Sequence, residues 1–170
     1  LISSTSTLIK TFFVAWFLGF GWFSIGLYWI GSAFLVADIY TIYLMPIAIV
    51  LLPSLLALFW GVACVLAKLI CKDKNFSVIS IIVCLSFFEY LRAILFTGFP
   101  WLMPSMIFSS NEYLIQIFSF IGSFSTNLVV LTLSIVPFIL LSNLKGKHIL
   151  STLLLIPILI LISFGTFRFY

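Results

Sequence analysis

The chain has 170 residues, of which 64% are hydrophobic and 7% charged, and its net charge is +4. A soluble domain carries about a quarter charged residues to coat its surface in water, which excludes a water-soluble globular fold here. Crossing a bilayer takes about 20 apolar residues per helix, so this length accommodates roughly five or six spans.

The chain opens on Leu1 rather than Met and turns apolar almost at once, which reads as a fragment of a longer protein. A charged segment, a short apolar stretch and a small-residue cleavage site do not occur in that order, so no signal peptide is expected. Five apolar runs follow, over residues 11–36, 41–67, 76–96, 113–142 and 149–167. They are too long for strands and do not alternate. The expected fold is therefore all-α: a polytopic membrane bundle of about five transmembrane helices, forming one domain over residues 1–170.

In the first run Gly19 and Gly26 are seven residues apart and share a helix face. Ala33 with Ala37, and Ala57 with Gly61 in the second run, have the small-xxx-small spacing that lets helix backbones approach closely. Pro46, Pro53, Pro137 and Pro157 fall inside runs and predict kinks, because a spanning helix tolerates proline where neighbours satisfy the freed carbonyl. Cys64 and Cys84 lie within apolar runs and read as small hydrophobes. Cys71 sits among lysines, with no second cysteine or histidine beside it. No metal site, cofactor or catalytic thiol is expected from these three.

The basic residues fix an orientation. Lys10 precedes the first run, Lys68, Lys72 and Lys74 lie between the second and third, and Lys145 and Lys147 between the fourth and fifth. If five helices alternate, these six of the eight basic residues fall on one side. Cytoplasmic loops are rich in lysine and arginine, so that side is expected to be inside. Membrane topology thus accounts for the positive charge, and nucleic acid is not an expected partner. Residues 37–40, residues 97–112 and the C-terminus fall on the opposite side.

The most informative stretch is Glu89-Tyr90-Leu91-Arg92 followed by Thr97-Gly98-Phe99-Pro100-Trp101. Glu89 and Arg92 are three apart on one helix face and can pair. An unpaired charge inside a bilayer costs at least about 2.5 kcal/mol, so an intramembrane pair is either a structural lock or a functional site. Gly98 permits unusual backbone, Pro100 blocks helix continuation, and Trp101 suits a membrane interface. Ser123, Ser125, Thr126 and Asn127 form a polar patch in the fourth run, expected to hydrogen-bond between helices. Asp38 and Glu112 read as solvated helix ends, and His148 as an interfacial residue.

These residues resemble a known family. Glu89-x-Leu91-Arg92-x₄-Thr97-Gly98-Phe99-Pro100-Trp101 looks like the membrane-domain motif of apolipoprotein N-acyltransferases. Gly19-Phe20-Gly21-Trp22-Phe23-Ser24-Ile25-Gly26-Leu27-Tyr28-Trp29 resembles that family's glycine-rich helix ending in tryptophan, and Gly122 sits where the family has a second glycine-rich segment. Arg168 resembles the basic residue that ends the last helix before the family's catalytic domain. Three positions depart from the pattern. Ser105 and Met106 stand where the family usually has a Gly-Tyr pair, and Ser125 where it often has glycine.

The resemblance implies an enzyme of the bacterial inner membrane that moves an acyl chain from phospholipid to the α-amino group of a lipoprotein's diacylglyceryl-cysteine. Its Glu–Lys–Cys triad, with a thioester-forming thiol, belongs to a nitrilase-like extracytoplasmic domain. No residue of this chain matches that triad, so the chain is expected to carry no catalytic residue. Gly98, Phe99, Pro100 and Trp101 are the implied substrate-binding segment. The implied partners are phospholipid as donor, diacylglyceryl lipoprotein as acceptor, and the bilayer itself, with the C-terminus periplasmic. The alternative is a small transporter or channel subunit, or a structural membrane protein. A transporter of this kind tends to show internal repeats, and none stands out.

Overall fold

The computed structural model describes residues 7–36, 41–71, 74–96, 98, 100–141, 148, 151–152, 155–156, 159–160, 162–163 and 167, with only the backbone at 41, 74–77 and 138. Among the described residues the α-helices run in the order α1 (Leu8–Gly26), α2 (Ile30–Val36), α3 (Met45–Ile70), α4 (Lys74–Leu95) and α5 (Gln116–Leu141). Tight 3-10 turns at Thr41–Leu44 and Pro104–Ser110 precede α3 and α5. No strand occurs among the described residues. Among the described residues four stretches, Leu8–Gly26, Ile42–Ile70, Val78–Leu95 and Gln116–Leu141, are long and apolar enough to cross a membrane. The protein is an all-α polytopic membrane protein.

Local chemistry sets the starts of α1, α3 and α5. The Thr7 hydroxyl accepts a hydrogen bond from the Lys10 amide at 3.4 Å and caps α1. Pro46 lies in the first turn of α3, where a missing amide hydrogen removes no helix bond. Before α5 the Asn111 side-chain oxygen accepts the amides of Tyr113 and Leu114 at 3.0 and 3.1 Å. That turn delays the helix to Gln116, three residues later than the sequence reading placed it.

The first apolar run is not one helix. α1 ends at Gly26, Leu27–Trp29 form a turn, and α2 starts afresh at Ile30. Leu27 leaves helical geometry (φ −109°, ψ 9°) and its side chain is buried. Gly31 rather than Ala33 makes the close approach there, against Met45 and Ile49, while Ala33 is exposed. Ala37, Asp38, Lys72, Lys145, Lys147, Pro157 and Arg168 lie outside the described residues, as does most of the fifth run; its described positions between 148 and 167 are helical.

The chain divides into two units, Leu1–Leu102 and Met103–Tyr170. In the first, α1 and α3 run antiparallel. Gly19 lies so close to Ala57 that an added Cβ would stand 3.3 Å from its backbone, and near the other end the Lys68 ammonium donates to the Thr11 hydroxyl at 3.1 Å. α4 runs antiparallel to α3, since Trp60 meets Glu89 whereas Cys64, further along α3, lies near Cys84, earlier in α4. Lys10, Lys68 and Lys74 therefore share one end of this three-helix unit, and Arg92 lies toward the other. Phe23, Leu27, Leu56 and Ala57 form its core, with Trp16, Trp22, Trp60 and Trp101 packed around them.

In the second unit Phe108, Ile117, Val129 and Val130 form a core between the Pro104–Ser110 turn and α5. α5 bends at Gly122, whose backbone (φ 78°, ψ 170°) is essentially glycine-only. The sequence reading placed kinks at prolines. Pro53 and Pro137 do lie within helices, but the break in helical geometry within α5 is at a glycine.

Candidate functional site

Helix α4 sets Glu89 and Arg92 three residues apart on one face, and their side chains form a salt bridge between Arg92 Nη2 and Glu89 Oε2. Both are buried, Arg92 at 0% exposure and Glu89 at 1%, so the pair contributes no charge to the surface. From α3, the Trp60 indole N–H donates to the second Glu89 oxygen at 2.6 Å. From α1, the Phe23 ring lies under the guanidinium, 4.9 Å from its carbon. A desolvated cation over an aromatic face gains about 2 kcal/mol. Trp60 in turn stacks on Trp22 at 6.5 Å and meets Phe23 edge-on at 5.6 Å. One carboxylate and one guanidinium thus join all three long helices of the unit.

The segment after α4 folds back over the end of α1. The Phe96 amide bonds to the Arg92 carbonyl at 3.0 Å, and the Gly98 amide reaches back to the Ala93 carbonyl at 2.8 Å. Gly98 takes a φ of 81°, and an added Cβ there would meet nothing within 4 Å. Trp101 packs on the core around Phe23 and Leu56. Leu102 adopts a φ of 44°, the only positive value at a non-glycine among the described residues. Its carbonyl accepts the Trp22 indole N–H at 3.1 Å. Thr97 and Phe99 lie outside the described residues. Sequence alone places Trp22 and Phe23 in the glycine-rich resemblance without a link to Glu89 or Arg92 and does not single out Trp60, because in a chain that is 18% aromatic no spacing marks three rings from two helices.

The polar patch of α5 resolves into separate roles. The Thr126 hydroxyl donates to the Gly122 carbonyl at 2.7 Å, at the bend. Asn127 accepts the Ser105 amide at 3.2 Å, so it bonds to the Pro104–Ser110 turn rather than to another α-helix. Ser123 is half-buried and Ser125 exposed. Ser105, one of the departures, is buried, and Met106 beside it is half-buried. Glu112 and His148 are exposed. Cys64 is buried, and Cys71 and Cys84 are half-buried. No group of three or more metal-ligating side chains occurs among the described residues.

The family profile of the apolipoprotein N-acyltransferase N-terminal domain matches residues 1–136. The apolipoprotein N-acyltransferase of Rhodopseudomonas palustris is 39% identical over 129 residues, covering 75% of this chain and 24% of that protein. Those of Rhizobium rhizogenes and Sinorhizobium fredii are 42% and 44% identical, over 53% and 52% of this chain and 17% of each relative. The chain therefore spans about a quarter or less of the curated relatives it matches. No solved structure matches it significantly. The profile covers α1 to most of α5, including the ion pair and the turn beyond it, and on that match the chain belongs to the apolipoprotein N-acyltransferase family and carries its N-terminal membrane domain.

Proposed function

We propose that this chain is the membrane portion of an acyltransferase of the bacterial inner membrane. The enzyme moves an acyl chain from phospholipid to the α-amino group of a lipoprotein's diacylglyceryl-cysteine. The observation that carries this reading is the family match over residues 1–136. In it, a triad in a nitrilase-like domain outside this chain supplies base, nucleophile and oxyanion donor. The membrane helices hold that domain against the bilayer and give lipid a lateral route to it. Gly98, Phe99, Pro100 and Trp101 contact the donor lipid, and the buried Glu89–Arg92 pair fixes the end of α4 from which that segment springs. The end bearing Arg92 faces the periplasm.

A chimera tests the reading. The matching segment of the Rhodopseudomonas palustris enzyme is replaced by residues 1–136 and expressed in a strain depleted of its own N-acyltransferase. Mass spectrometry of a reporter lipoprotein is expected to show N-acylated product from the chimera. The 170-residue chain alone, onto which no residue of the family triad maps, is expected to yield none. A chimera that accumulates in the membrane yet leaves the reporter diacylated would overturn the proposal.

A further inference from the structure

Three features of the first unit converge on Leu102. Its backbone is left-handed, with φ at 44°. A γ-branched residue adopts that conformation only where its surroundings impose it, since the left-handed region costs about 1–2 kcal/mol per residue. The Trp22 indole N–H holds its carbonyl at 3.1 Å. Gly26, one turn further along α1, gives its side chain a seat: a Cβ at position 26 would stand 1.8 Å from Leu102 Cδ2 and 2.9 Å from Cγ. Residues 22 and 26 share a helix face, so one stripe of α1 grips both backbone and side chain of Leu102.

That grip continues to the ion pair. Trp22 stacks on Trp60, and Trp60 donates to Glu89, which holds Arg92 four residues before the helix breaks into the turn. The segment carrying Gly98, Pro100 and Trp101 is thus tied at its start by the end of α4 and at its finish by α1.

We propose that Trp22 and Gly26 are positioning residues that hold Leu102 in its strained conformation and so preset the Trp101 turn to receive a phospholipid. Neither residue touches the lipid; both act through Leu102. The place of the turn in acyl transfer rests on the acyltransferase reading, whereas its preset shape rests on this geometry alone.

The test uses the 170-residue chain in bilayers containing a phospholipid with a photoactivatable diazirine, and mass spectrometry to map labelled peptides. The wild-type chain is expected to be labelled on the peptide spanning residues 98–103. Gly26→Ala should lower that labelling at least threefold, because its methyl displaces Leu102. Gly26→Ala combined with Leu102→Ala, which removes the obstructing Cγ and Cδ atoms, should recover more labelling than Gly26→Ala alone. Trp22→Phe, which keeps the ring and loses the donor, should lower labelling less than Gly26→Ala. In the chimera, Trp22→Phe should raise KM for phospholipid several-fold with kcat little changed. Equal labelling in wild type, Gly26→Ala and Trp22→Phe would overturn the proposal, as would a double variant no better labelled than Gly26→Ala. Labelling that follows the expected order beside an inactive parent chimera would leave the positioning role standing and sink the acyltransferase reading instead.

Discussion

At the level of single residues, the decisive fact is that a carboxylate and a guanidinium are both excluded from water. Removing one partner from a buried pair strands the other charge and costs about 3–5 kcal/mol, whereas replacing both with apolar groups of similar volume is often neutral. Arg92→Met and Glu89→Leu are each expected to lower membrane accumulation and thermal stability in detergent sharply. The double variant should lie closer to wild type, and adding Trp60→Phe should bring it closer still by removing an indole donor left without its acceptor. Single variants as stable as wild type would show that the pair locks nothing. The pair itself was legible in the sequence, because three-residue spacing on a helix and the rarity of charge in this chain both point to it. Its aromatic surroundings were not. Trp60 and Phe23 reach Glu89 and Arg92 from other helices, Trp60 from 29 positions away and Phe23 from further still, and no local pattern encodes such separations.

At the level of elements, length and hydropathy located the helices but not their breaks. Leu27, Tyr28 and Trp29 are as apolar as their neighbours, so nothing in composition announced that α1 ends before them. Pro137 lies within α5, yet proline removes one helix bond, and a spanning helix absorbs that. Gly122 makes the larger departure, and glycine in an apolar run reads equally well as a packing residue. Two substitutions separate backbone from side-chain effects at this bend. Gly122→Ala meets nothing within 4 Å, so its expected loss of about 1–3 kcal/mol comes from backbone strain alone. Asn127→Leu leaves the buried Ser105 amide without an acceptor, for a loss of about 1–3 kcal/mol. Denaturation in mixed micelles measures both. If Gly122→Ala proved neutral, the bend would not be intrinsic to the helix.

At the level of the whole molecule, two kinds of cation behave oppositely. Arg92 is withdrawn from solvent into a neutralised pair, while Lys10, Lys68 and Lys74 gather at the other end of the first unit. A bilayer rewards this separation. Lysines beside spanning helices stay on the cytoplasmic side, whereas an intramembrane arginine persists only when paired and enclosed. The antiparallel course of α1, α3 and α4 carries these lysines to one end without any reference to charge, and the charge rule alone then says which side that end faces. The connection between α4 and α5 should then open to the periplasm. The test starts from a chain with Cys64, Cys71 and Cys84 replaced by alanine, carrying one new cysteine at Asn75 or at Ser110. A membrane-impermeant maleimide applied to spheroplasts should label the exposed position 110 and spare position 75, and inverted vesicles should reverse the pattern. Labelling at 75 from outside would invert the topology. It would also place the Arg92 end of α4 in the cytoplasm, where an extracytoplasmic catalytic domain could not reach the Trp101 turn.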